Sequence, residues 1–286
     1  MSRESKQDDP WERRALYGCA AALGGNVPQA IRDFAGHLDQ AADVLADAPW
    51  IEGNAMSGHI FERYGGGGAR SRLGVGRRLA LSEIPEWIVR MSDDAAQCRM
   101  AELGADHEAL GQTVATDIFY GSPQADPCSC IGLSAFCESP QGNVVDGGGD
   151  GGSSIWLLSW HQEELYIAYP KGSMAGLMRH DLGLQVGERD ATGAREVVYT
   201  EASEVSLAII PQRAQSVVRI ANLAGVVGAR LDQLMRAALG MLGDTKGRPT
   251  FYMNRTVAAA RGSTEPLDDY PVRIADELRF DEARVA

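Results

Sequence analysis

The stretch with the strongest claim to chemistry is GNVVDGGGDGGSSIWLLSW, residues 142–160, where five of the six positions from 147 to 152 are glycine. Such a run can cradle a phosphate when it follows a strand and opens a helix. The helix N-terminus then supplies free N–H groups and the positive end of its dipole. Here the residues after the glycines are Ser153-Ser154-Ile155-Trp156-Leu157-Leu158-Ser159-Trp160, an aromatic and aliphatic run that reads as a buried strand. There is no Gly-Lys-Ser/Thr and no GxGxxG opening a helix. The spacing therefore favours a mobile Gly/Asp surface turn leading into a strand, because glycine takes positive φ without strain. The competing reading is a soluble enzyme or binding protein that holds an anionic ligand with Gly147, Gly148, Gly149, Gly151 and Gly152, or with the Tyr169-Pro170-Lys171-Gly172-Ser173 turn.

Other candidate chemistry is weaker. Cys128, Cys130 and Cys137 form the one cysteine cluster, spaced CxC where a structural zinc site commonly uses paired CxxC units. A fourth ligand would have to come from a distant residue such as His161, so small loop or buried thiols are the better reading. His37, His59, His107, His161 and His180 are scattered. His180 and Asp181 are neighbours, and adjacent residues rarely face one another. His107 falls on an apolar helical stripe and reads as a satisfied core histidine. No GxSxG elbow and no HExxH occurs. The residues nominate no catalytic group, no cofactor-binding residue and no metal ligand.

The elements that would position any site come next. The chain has 286 residues, 44% hydrophobic and 23% charged, an ordinary balance for a globular protein. Its net charge is −12, which disfavours a dedicated DNA-binding role built on Lys/Arg–phosphate contacts. Only Lys6, Lys171 and Lys246 are lysine, and the other 24 basic residues are arginine. No apolar run approaches the roughly 18–20 residues that span a bilayer. The polar start MSRESKQDDPWERR reads without a signal peptide, so the five cysteines are expected to stay reduced.

Residues 1–14 read as a tail. A helix is expected over 27–46, with Ile31, Phe34, Leu38, Ala42 and Leu45 on one face. The span 50–76 has little apolar periodicity, and 77–91 suggests strands of a hairpin returning to the body. The strongest helix is capped by Ser92 or Asp93 and carries Met100, Leu103, His107, Leu110, Val114 and Ile118 before a Gly121-Ser122-Pro123 stop. Strands are expected at 155–160, 165–169, 196–201, 205–210 and 217–223. Another helix at 229–242 places Leu231, Leu234, Met235, Ala238 and Leu242 on one face. A short FYMNRTVAAAR segment and a terminal strand at 270–286 close the chain. This is an α+β pattern, not a regular βαβ alternation.

Seven segments, in order, carry a resemblance. They are ADVLADAPWIEGNAMSGH (42–59), TDIFYGSP (116–123), the glycine stretch with its strand, LYIAYPKGSMAGLMRHDLG (165–183), VVRIANL (217–223), GRPTFYMNRTV (247–257) and PVRIADELRFDEARVA (271–286). Together they resemble one branch of the major capsid proteins of tailed double-stranded-DNA bacteriophages. One departure is GGGGARSRLGVG at 65–76, where such proteins usually carry a strand with Leu-Pro and Trp-Arg.

The resemblance implies the HK97-like capsid fold. It assigns 1–50 to an N-terminal arm, 51–92 to an extended loop and 93–127 to the spine helix of a peripheral domain. Residues 128–225 become central strands shared by peripheral and axial domains, 226–268 the axial domain, and 269–286 a C-terminal strand returning to the body. It also implies a self-assembling icosahedral shell of hexamers and pentamers around double-stranded DNA, without sequence-specific binding and without a membrane. Scaffold, portal and decoration proteins are the partners it brings, and the virion capsid, assembled in the host cytoplasm, is the location. No cofactor and no enzyme activity is expected. Some capsids of this fold crosslink through a Lys–Asn isopeptide bond on the extended loop. The span 51–91 has arginines and no lysine, so that crosslink is not expected here.

Overall fold

The structure, a computed structural model, describes residues 43–53, 56–57, 60–64, 70–137, 143–170, 177–188 and 194–285. The first elements are α1 (Asp43–Asp47), β1 (Trp50–Gly53), β2 (Met56–Ser57), β3 (Ile60–Tyr64), β4 (Arg70–Gly74) and β5 (Gly76–Pro85). Two helices follow, α2 (Glu86–Met91) and the 26-residue α3 (Ala95–Tyr120). After a 3-10 turn at Leu133–Phe136 come β6 (Val144–Asp146), β7 (Ile155–Trp160), β8 (Leu165–Pro170), β9 (Leu177–Glu188), β10 (Arg195–Pro211) and β11 (Val217–Ala221). The chain ends with α4 (Ala229–Leu242), β12 (Arg248–Met253), α5 (Arg255–Arg261) and β13 (Val272–Ile274).

A central sheet runs β13-β12-β7-β11-β6. All six residues of β7 are buried, and alternation sends them to two different cores. Trp156, Leu158 and Trp160 face a core shared with α1, α3, β8 and β10. Ile155 and Leu157 face a second core under α4 and α5. Strand β12 splits the same way, with Tyr252 on the first side and Phe251 and Met253 on the second. A second sheet, β1-β8-β10-β5 with β9 also on β10, forms an arm. A third, β2-β3-β4, is a small antiparallel unit.

Helix α3 carries its buried stripe where the spacing places it. Leu103, His107, Leu110, Val114 and Ile118 are buried, and Met100 is partly buried against the same core. Its cap is Asp94, which accepts from the Gln97 N–H at 3.0 Å, and not Ser92 or Asp93. The helix runs through Tyr120, and Gly121 turns it sharply. A Cβ on Gly121 would stand 2.4 Å from the Cys130 carbonyl, so only glycine lets the two strands of chain close. Helix α4 buries all five residues of its expected face.

Several expectations need correction. The span 51–91 contains β1 to β5 and then α2, in place of a largely strandless loop with a hairpin. Strand β5 pairs along β10 instead of folding back on itself. Its pattern hides the strand, because Leu79 and Leu81 face outward while Arg78 and Ser82 lie on the α3 side. The two strands expected at 196–201 and 205–210 are one 17-residue strand, β10. Its polar centre stays paired, since Ser203 bonds His107 at 2.7 Å and Glu204 pairs with Arg77. Strand β9 was not expected; Gly183, Gly187 and a register shift at Thr200/Glu201 break its alternation. The FYMNRTV segment divides at Asn254, whose side chain caps α5 by accepting from Val257 N–H at 2.9 Å. The terminal strand reduces to β13, and the rest of the segment to residue 285 is held by an isolated backbone bridge between Gly152 and Glu282 and by side chains. Of the helix expected at 27–46, α1 covers the end, with Val44 and Leu45 buried; residues 1–42 lie outside the described residues.

Candidate functional site

The glycine loop sits between β6 and β7, and four of its N–H groups are already used. Gly147 donates to the Ala221 carbonyl at 2.9 Å, Gly149 to Asn222 at 2.8 Å and Gly152 to Glu282 at 2.9 Å. Gly148 donates to the Asp146 carboxylate at 2.9 Å. An anion cradle needs such donors free. The glycines answer a different demand. A Cβ on Gly149 would lie 2.5 Å from the Ala224 carbonyl, and one on Gly151, at φ +79°, would lie 2.5 Å from that of Glu282. The loop is thus wedged between the exit of β11 and the C-terminal segment, which corrects the expectation of a mobile surface turn.

Beneath the loop lies an ion pair buried on both sides. Arg219 on β11 and Glu282 in the C-terminal segment meet at 2.7 Å, 8% and 7% exposed. Arg219 also donates to Ser154 Oγ at 3.0 Å and to the Cys137 carbonyl at 3.4 Å, and lies over the Trp156 ring at 5.2 Å. Glu282 accepts from the Ser154 and Tyr120 hydroxyls as well. Burial, and then the nearby Glu282 charge, raise the Tyr120 phenol above its ordinary range. Asn222 closes the seam, donating to the Val285 carbonyl at 3.0 Å and accepting from its N–H at 2.9 Å. The recess beside it, about 550 Å³, is lined largely by the tail itself, Asp281 to Val285, with Tyr120 and Arg219. Arg219, Glu282, Ser154, Tyr120 and Asn222 thus hold the chain to itself.

A second buried carboxylate, Glu164, ties the 243–247 turn to the β7–β8 hairpin. It accepts from Ser159 Oγ at 2.9 Å, from Lys246 N–H at 2.9 Å and from Thr245 Oγ1. Burial pushes its carboxyl up, but these hydrogen bonds outweigh burial and hold it at about 2. On the arm, Arg78 grips Asp117 of α3 bidentately at 2.6 and 2.8 Å. Arg99 of α3 reaches Asp181 at 2.9 Å and the buried Glu201, which Arg179 also holds.

The remaining sequence candidates scatter. Cys128 is exposed, while Cys130 and Cys137 are buried, with burial pushing each thiol up to about 12. Among the described residues no group of three or more His, Cys, Asp and Glu side chains could hold a metal ion. His161 forms a bridge with Leu165 in the β7–β8 turn. His107 is buried on Ser203, as a core histidine should be. His180 lies in β9, where the adjacent Asp181 is engaged by Arg99. Lys246 pairs with Glu163. His37, His59, Lys6 and the Lys171–Ser173 part of the PKGS turn lie outside the described residues.

What remains open is surface. Among the described residues, ten of thirteen exposed large apolar side chains lie on β5, α2, β9 and β10, among them Leu79, Leu81, Trp87, Met91, Leu184 and Val186. Such concentration marks an interaction surface. The sequence reading missed both the arm's surface and Arg219; a lone arginine inside the apolar VVRIA run was the available signal for the latter.

The family model for major capsid protein GP7 matches residues 74–265. The chain belongs to this family. The match covers β5 through α5 in one stretch, leaving β1 of the arm sheet and β13 of the central sheet outside it, so the GP7-family relation accounts for most of the body of the fold. Among solved structures, that of bacteriophage Epsilon15 from cryo-EM aligns at a TM-score of 0.57 with 19% identity, covering 84% of this chain and 88% of that one. The procapsid of bacteriophage JBD30 aligns at 0.45 with 12% identity, covering 88% and 99%. No curated protein matches by sequence. The mixed helix and sheet architecture is the HK97-like capsid fold. A GP7-family chain is a structural, shell-forming protein. This replaces the anion-binding reading of the glycine loop.

Proposed function

We propose that this chain assembles by itself or on a scaffold into a closed icosahedral head shell of hexamers and pentamers enclosing double-stranded DNA. The family match over 74–265 carries the reading. The arm's exposed apolar surface supports it, because copies that repeat one set of contacts close into a shell. In this reading α3 is the spine helix of the peripheral domain, residues 1–50 the N-terminal arm, 51–92 the extended loop and 226–268 the axial domain. Residues 269–286 return to the body and lock there through Glu282.

The net charge of −12 suits a shell that surrounds DNA without gripping it. The chain works without catalysis, cofactor or metal. Portal and decoration proteins complete the virion, and assembly takes place in the host cytoplasm. Lysine isopeptide bonds do not join the subunits, and a denaturing gel of mature particles should show one band near 30.7 kDa. A ladder that resists reductant would overturn that point.

A further inference from the structure

Strand β9 is the outer edge of the arm sheet. It pairs with β10 on one side, and among the described residues no strand pairs with its other side. Along the outer half of β9 the sequence is Leu182-Gly183-Leu184-Gln185-Val186-Gly187, six residues without a charge or a proline. Natural sheets usually blunt a free edge with charge, proline or a covering loop. Three other edge strands carry such charges: β5 has Arg77, Arg78 and Glu83, β6 has Asp146 and β13 has Arg273. Strand β9 carries Arg179, Asp181 and Glu188 toward its two ends, but its stretch 182–187 is uncharged. Leu184 and Val186 are 53% and 65% exposed, and Val197, in register with Val186, is 48% exposed.

From this unprotected edge we infer that residues 182–187 accept an extended strand from a second copy of this chain, adding it to the arm sheet. Main-chain hydrogen bonds would supply the affinity, and Leu184, Val186 and Val197 would supply a dry apolar face. Charge selects the occupant. Copies with a net charge of −12 repel one another, so they meet most easily where neither presents like charge. Local bonds blunt the edge only in part: Gly183 N–H donates to Asp181 at 2.9 Å, and Gln185 Nε2 to the Leu182 carbonyl at 2.9 Å.

The inference rests on the shell reading above, and hydrogen exchange separates the two. Exchange at 182–187 is followed in the full-length chain, as dissociated subunits and as assembled particles. Assembly should slow exchange there by about tenfold or more. Particles that form with 182–187 still exchanging as in the subunit overturn this inference and leave the shell reading intact. Protection already complete in the dissociated subunit also overturns it, because the chain's own residues then cover the edge. Failure to form particles at all counts against the shell reading instead. As a second arm, Leu184→Lys with Val186→Lys should leave subunit melting unchanged and abolish closed particles; normal particles from this variant contradict the inference.

Discussion

The central sheet and the arm are built from the same kinds of residue and finished in opposite ways. The central sheet is covered on both faces, by α3 on one and by α4 and α5 on the other, and its buried Arg219 is paired inward. Among the described residues, the arm has α3 on one face only, and most of the exposed large apolar side chains lie on it and on adjoining α2. The difference separates what the subunit needs to fold from what it offers to its neighbours. Substitutions in the first region should break the subunit, and those in the second should break only the assembly.

The largest effect is expected at Leu110, 5% exposed on the buried stripe of α3. Leu110→Asp removes about 2–5 kcal/mol of packing and adds an unpaired charge, so little soluble folded chain should be recovered. Normal thermal stability would show that the stripe faces elsewhere. Next comes Arg219→Met. It strands the Glu282 carboxylate, and urea unfolding should show a loss of about 3–5 kcal/mol. The double variant Arg219→Met, Glu282→Leu should recover most of that loss. If it does not, the pair itself, and not the cost of an orphaned charge, holds the tail.

A smaller effect is expected at Gly149, where the Cβ of alanine would stand 2.5 Å from the Ala224 carbonyl. Gly149→Ala should cost about 1–3 kcal/mol in the same unfolding assay, because backbone has to move. An unchanged midpoint would mean that the loop is looser than its hydrogen bonds imply. Glu164 adds a pH signature. Its carboxyl is held at about 2, against 4.5 ordinarily. A depressed folded value gives stabilisation that is full above the ordinary value and fades as pH falls from about 4.5 toward about 2. The melting-temperature advantage over Glu164→Gln should therefore be full at pH 7 and vanish across that window. An advantage independent of pH would assign the effect to packing. The smallest effect on folding is expected on the arm: Leu79→Ser, at a side chain 63% exposed, should shift subunit stability by no more than about 0.5 kcal/mol.

The same division decides how much the sequence reveals. Helices α3 and α4 were legible because each buries one stripe, and stripes such as Leu103, Leu110, Val114 and Ile118 recur at helical spacing. Strands β7, β8 and β11 were legible because they are buried on both faces and read as continuous apolar runs. The arm was not, because its outward apolar residues have no partner within the subunit. In β5 and β9 the alternation is inverted or broken, and only the ladder to β10 reveals the strands. The tail was misread for a related reason. Its contacts are Glu282 to Arg219 and Val285 to Asn222, partners 63 residues away in sequence that no periodicity can announce. Of the site, the glycine loop was visible as a loop, but the backbone contacts that require its glycines were not.

The central claim is that this surface division serves closure of a shell. The most direct measurement is sedimentation of the purified full-length chain, with scaffold supplied, combined with negative-stain imaging. The account expects megadalton closed particles. A compact small oligomer at every salt and protein concentration would contradict it.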